Sequence, residues 1–131
     1  MQGIERVVET DMARAEQLVR DALSHQGFGV LTEIDVAAVL AAKIGVERAP
    51  LKILGACNPH LAHEALEADP AVATLLPCNV VLAGEGDHVR ITAVDPRALV
   101  TDESLTDFAS GVAERLGHAL DEVVAHTIPA P

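Results

Sequence analysis

Nine apolar residues recur at helical spacing near the end of the chain: Leu105, Phe108, Ala109, Val112, Leu116, Ala119, Leu120, Val123 and Val124. This stripe predicts one amphipathic helix over about 104–126, the longest element of the protein. A stripe of that length needs an apolar surface of matching length beneath it. Asp107, Glu114, Arg115, Asp121 and Glu122 occupy the opposite side and face water. Ser104, with Asp107 three residues on, reads as a capping-box-like start in which Asp replaces the usual Glu.

The surface under this helix is readable upstream. Residues 4–9, 28–34, 51–57, 79–83 and 88–94 carry the short, β-branched, alternating patterns of strands. Gly84-Glu85-Gly86-Asp87 is a hairpin turn between the last two. On the second strand, Phe28, Val30, Thr32 and Ile34 are expected on one face. Helices fill the intervals. Thr10 or Asp11 caps a helix running to about Gln26, with Met12, Ala15, Leu18, Val19, Ala22 and Leu23 inward and Gly27 as its left-handed stop. Asp35 caps a short helix over 36–44, ended by Gly45. Asn58-Pro59 starts another, with Asn as the cap and Pro at the first helical position, where no N–H is needed. It runs to about Ala68 with Leu61, Ala62, Ala65 and Leu66 inward. Asp69-Pro70 restarts the chain for one or two more turns, and Pro77 ends them. The pattern predicts an α+β two-layer sandwich: a mixed, mostly antiparallel sheet of about five strands with helices on one face. With no linker or repeat, residues 1–131 read as one domain.

Several functions are excluded by composition. Acids outnumber bases 20 to 9, a net charge of −11, and Phe28 and Phe108 are the only aromatics. A phosphate backbone is repelled by that field, and no aromatic platform exists for stacking bases. No nucleic-acid partner is expected. No run of about 18 apolar residues predicts a membrane span. The charged start of the chain and only two cysteines predict a cytosolic, reduced protein. There is no phosphate loop and no nucleophile elbow, since Gly27-Phe28-Gly29 enters a strand and Ser24, Ser104 and Ser110 lie in or beside helices. No catalytic constellation is recognisable, so the chain does not declare itself an enzyme.

The most distinctive segment runs from Ile53-Leu54-Gly55-Ala56-Cys57-Asn58-Pro59 to Leu75-Leu76-Pro77-Cys78-Asn79-Val80-Val81. With Gly27-Phe28-Gly29-Val30-Leu31-Thr32-Glu33-Ile34-Asp35, it resembles the family of domain of unknown function 302 over about residues 4–96. Cys57, Asn58, Pro59, Pro77 and Cys78 match the family's motif, and His60 does not. Leu51 and Ala73-Thr74 depart from it. The resemblance implies a small α/β sandwich, often paired as a homodimer, with no established activity.

Cys57 ends a strand at a helix cap and Cys78 begins another strand. The path between them predicts that they share one end of adjacent or next-but-one strands, with Asn58 and Pro77 shaping the rim. A thiol beside helix N–H groups has a stabilised thiolate, so Cys57 is expected to be the more reactive. Against this, free cysteine commonly packs as a small hydrophobe. His60 and His63 lie on one helical face and, with Cys57 and Cys78, form a candidate set for a soft metal such as zinc or copper. Glu64 and Glu67 offer them surface ion pairs instead. Three readings stand: a small-ligand or metal-binding module on this rim, a thiol-based redox or sulfur-handling protein, or a purely structural dimerisation domain. His25, His88, His118 and His126 read as surface residues. A homodimer is expected because the long C-terminal stripe and the alternate strand face, with Leu54 and Ala56, exceed what one sheet face can cover.

Overall fold

The computed structural model describes residues 3–130. Its elements are β1 (Gly3–Glu9), α1 (Met12–His25), β2 (Gly29–Asp35), α2 (Val36–Ile44), β3 (Leu51–Cys57), α3 (Pro59–Ala68), β4 (Cys78–Glu85), β5 (His88–Val94), α4 (Thr106–Ala125) and β6 (Ile128–Pro129). Short 3-10 turns cover Pro70–Leu75, Pro96–Ala98 and Glu103–Leu105. The strands form one open sheet in the order β2-β3-β4-β5-β1-β6, and every described pairing is antiparallel. The expected α+β sandwich is therefore present, without the parallel element that a mixed sheet would contain. The sixth strand is a two-residue extension after α4 that carries no periodic signal of its own.

The core lies between the sheet and the helices α1 and α4. Val8, Leu54, Val80, Leu82, Val89 and Ile91 line the sheet side, and Val19, Leu23, Leu116, Leu120 and Val123 the helix side, all almost completely buried. Each such side chain contributes about 1.5–3 kcal/mol of transfer free energy. A second small cluster, Ala65, Val72 and Leu105, seats α3 and the turns around it. Leu61, Ala62 and Ala65 of α3 face inward as the spacing predicts, whereas Leu66 stays exposed.

The caps follow local chemistry. Asp11, not Thr10, caps α1: its carboxylate accepts from the Arg14 N–H at 2.8 Å. Gly27 and Gly45 both take the left-handed conformation, with φ +86° and +66°. The expected Ser104 capping box does not form. Asp102 caps the preceding 3-10 turn through the Ser104 N–H at 2.9 Å, and α4 continues from that turn with no side-chain cap.

Two face assignments differ from the alternation in the sequence. Leu54 and Ala56 point into the helix-covered core; Leu51 and Ile53 take the other face of β3. In β2, a bulge between Val30 and Thr32 inserts one residue against β3. Phe28 and Val30 therefore face the core, while Thr32 and Ile34 face away from it, because an extra residue reverses a two-residue period.

The β2-α2 arm packs differently from the rest. None of the residues of α2 is buried. On the core side, β2 and β3 are tied to α1 by charge: Lys52 Nζ donates to Glu16 at 2.7 Å and Glu33 at 2.6 Å, and Arg20 binds the same two carboxylates at 2.9 and 3.2 Å.

Candidate functional site

The rim is built where β3 ends and β4 begins. Ala56 pairs with Cys78, so Cys57 and Cys78 lie at the same end of adjacent strands, as the chain path predicts. They point to opposite faces. Cys78 is 5% exposed in the core beside Ala56, and Cys57 is half-buried on the face away from the helices. Both thiols are free. Burial, with a smaller contribution from the second thiol, pushes Cys78 up to about 11. Cys78 is a protonated core side chain at neutral pH, which leaves Cys57 as the accessible sulfur for any thiol chemistry.

Asn58 is the one buried polar residue of the described core, at 6% exposure. Its Oδ1 accepts from the Leu61 N–H at 3.2 Å, capping α3, while its Nδ2 donates to the Gln26 carbonyl at the end of α1, also at 3.2 Å. A Cβ on Gly27 would come 2.9 Å from that Nδ2. Asn58 is thus a bracket between two helix ends, with both functional groups engaged. Pro59 takes the first position of α3, where its missing N–H costs nothing, and is exposed.

Pro77, joined to Leu76 by a cis peptide bond, packs its ring against Gly55. A Cβ at position 55 would collide with Thr32 Oγ1 and come 2.8 Å from Pro77 Cγ. Only glycine lets β2, β3 and the Pro77 turn meet at this spot. Pro77 also borders a cleft of about 240 Å³, lined by Thr74, Leu75, Leu76, Pro77, Asn79, Val94 and Leu99. Its walls are mainly aliphatic. The exposed Asn79 side chain has no hydrogen-bond partner among the described residues and stands at the cleft as its amide group.

His60 and His63 project from α3 as exposed residues. Among the described residues, no three His, Cys, Asp or Glu side chains converge as a metal site would require. The physical reason lies in the sheet: Cys78 is turned into the core, Cys57 to the other face, and the two histidines to solvent. A second depression, about 250 Å³, lies by the start of α1, where Glu16 and Lys52 already pair with each other. Sequence reasoning gives Thr74, Asn79 and Leu99 no role at the rim, although Asn79 stands inside the distinctive segment 75–81; its one signal is a polar residue between apolar neighbours at a strand start. No described helix is long and apolar enough to cross a membrane.

The family model described as "Domain of unknown function DUF302" matches residues 4–123, so the likeness continues past residue 96 through most of α4. The fold is similar to the crystal structure of an uncharacterized conserved protein DUF302 from Bacillus stearothermophilus. That similarity has a TM-score of 0.85 and 30% identity, covering 92% of this chain and 98% of the other. No curated protein matches the chain.

Proposed function

The chain belongs to the DUF302 family, and we propose that it is a non-catalytic binding module taking a small ligand in the cleft beside Pro77. The observation that carries this reading is the cleft itself: about 240 Å³ of aliphatic wall with one uncommitted amide, Asn79, on the motif's own rim. Ligand sites are mostly apolar concavities with a few polar groups that fix orientation, commonly of about 300–1,000 Å³. A cleft slightly below that range suits a compact, largely apolar molecule carrying one amide or carboxylic group to pair with Asn79. Protein-observed NMR against a set of such small amides and acids tests it. Shifts centred on Thr74, Asn79 and Leu99, abolished by Asn79→Leu, support the reading. Shifts centred on Cys57, or unchanged by Asn79→Leu, overturn it.

A second reading concerns assembly. Of eight exposed large hydrophobics among the described residues, five (Leu31, Ile34, Val39, Ile44 and Val46) fall within residues 31–46. Exposed apolar side chains concentrated in one short segment are the material of an interaction surface. This clustering supports a homodimer formed through the β2-α2 arm, and light scattering across a concentration series tests it.

A further inference from the structure

We infer that the cleft beside Pro77 selects a neutral primary carboxamide on a short aliphatic body and rejects the carboxylate of the same shape. This rests on the binding-module reading above and names the chemical class of its ligand.

Strand parity brings the polar group to the cleft. Cys78 and Val80, on either side of Asn79, are buried in the core, so the Asn79 side chain projects from the sheet face away from α1 and α4. Its partner on β3 is Gly55, which has no side chain to engage the amide. Asn79 therefore offers one acceptor, Oδ1, and the two N–H donors of Nδ2. Thr74 is the other polar side chain of the lining. Its hydroxyl already donates to the Ala71 carbonyl at 2.9 Å, so its oxygen can only accept.

A matching ligand donates to these two acceptors and accepts from Nδ2. A primary carboxamide does both through one planar group, with two N–H donors on its nitrogen and a carbonyl beside them. A carboxylate has nothing to donate and would set its charge against Asn79 Oδ1 and Thr74 Oγ1. No charged side chain lines the cleft to offset that. Asp95 and Arg97, which lie in sequence between the lining residues Val94 and Leu99, are closed on each other at 2.8 Å, and the chain as a whole carries −11. An ion entering aliphatic walls without a partner loses hydration that nothing replaces. An ammonium group meets the same cost, and it has no lone pair for Nδ2.

The probes are 3-methylbutanamide and 3-methylbutanoate, which differ only in the polar group. Each is titrated by protein-observed NMR into the wild type and Asn79→Leu at pH 5.5 and 7.5. Asn79 is exposed, so the variant should keep the fold, as its melting temperature will report. The amide should shift Thr74, Asn79 and Leu99 with the same Kd at both pH values. At pH 7.5 it should bind about tenfold or more tightly than the acid. The acid enters only when protonated, so its apparent affinity should rise about tenfold per pH unit as the pH is lowered. Asn79→Leu should abolish binding of both. An acid that binds as tightly as the amide at pH 7.5, an acid whose affinity ignores pH, or a cleft that neither probe shifts at tens of millimolar overturns the carboxamide assignment and leaves the small-ligand reading standing. Shifts that survive Asn79→Leu, or that centre on Cys57, overturn both.

Discussion

The Asn58 side-chain amide donates to the Gln26 carbonyl across 32 positions of sequence, in the place where a Cβ on Gly27 would stand. One side chain therefore caps α3, closes α1 and dictates the glycine between α1 and β2. The motif residue that reads most like a binding group is a structural clamp.

The clamp predicts a coupled pair of substitutions. Gly27→Ala forces a left-handed conformation on a residue with a Cβ, costing about 1–2 kcal/mol before any clash. Asn58→Ala removes a cap worth about 1 kcal/mol and a hydrogen bond to a carbonyl otherwise reached, among the described residues, only by Arg115, at 3.4 Å. In an Asn58→Ala background the collision at 2.9 Å is gone, so Gly27→Ala should cost less than it does in the wild type. A urea-denaturation double-mutant cycle reads this coupling; strict additivity would show that the two positions act separately.

Cys78 predicts an alkaline weakness. Its thiol titrates near 9.0 when free and near 11 when folded, because burial disfavours the thiolate. Stability from this group is fully present below pH 9 and is lost as pH rises towards 11, where the unfolded chain has released a proton that the folded one retains. The slope is about 1.4 kcal/mol per pH unit over that window. Cys78→Ala removes the titration, so the stability gap between wild type and variant should narrow from pH 9 to 11. Cys57 should be alkylated much faster than Cys78 in the folded protein, and a mass-spectrometric time course with iodoacetamide will show the order.

The charged ring predicts an acid limb. The hydrogen bond from Lys52, ahead of that from Arg20, holds the Glu16 carboxyl below its usual value of 4.5. A depressed carboxyl stabilises the fold above its unfolded pKa, and this contribution disappears as pH falls through the folded value. Lys52→Met should therefore flatten the loss of stability below about pH 4.5. The effect is modest, up to about 1 kcal/mol, because the pair is partly solvated. Thermal melts between pH 3 and 6 measure it, and an unchanged acid limb would assign the loss to other carboxylates.

Elements were legible where local periodicity determined them. The stripe of α4, the Asn58-Pro59 start, the Gly27 and Gly45 stops and the β4–β5 hairpin all stand where their spacing places them. Faces were less legible. The bulge at Leu31 has no Gly or Pro to announce it, and it turns Thr32 and Ile34 away from Phe28 and Val30. The Cys57 and Cys78 strand ends were predictable from chain path, but strand parity alone puts the thiols on opposite faces, and the parity of β3 relative to β4 depends on register. The cleft was not legible, because Thr74, Val94 and Leu99 converge only through tertiary packing.

Gly55 predicts the largest effect at the rim. It sits opposite Thr32 on β2 and Asn79 on β4, and the Pro77 ring fills the remaining space over its Cα. A methyl group there collides with Thr32 Oγ1 and crowds Pro77, whose ring cannot rotate aside as a flexible chain would. Overpacking of this kind costs about 1–3 kcal/mol and forces backbone shifts. Gly55→Ala should therefore lie at or above the top of that range and disturb the cleft that Pro77 lines. Thr32→Ala removes the nearer obstacle and leaves the proline, so the double variant should recover part of the lost stability but not all of it. Chemical-denaturation midpoints of the two single variants and the double variant decide the matter. A Gly55→Ala protein as stable as the wild type would mean that β2 yields at this point, and that the arm is not held against Pro77.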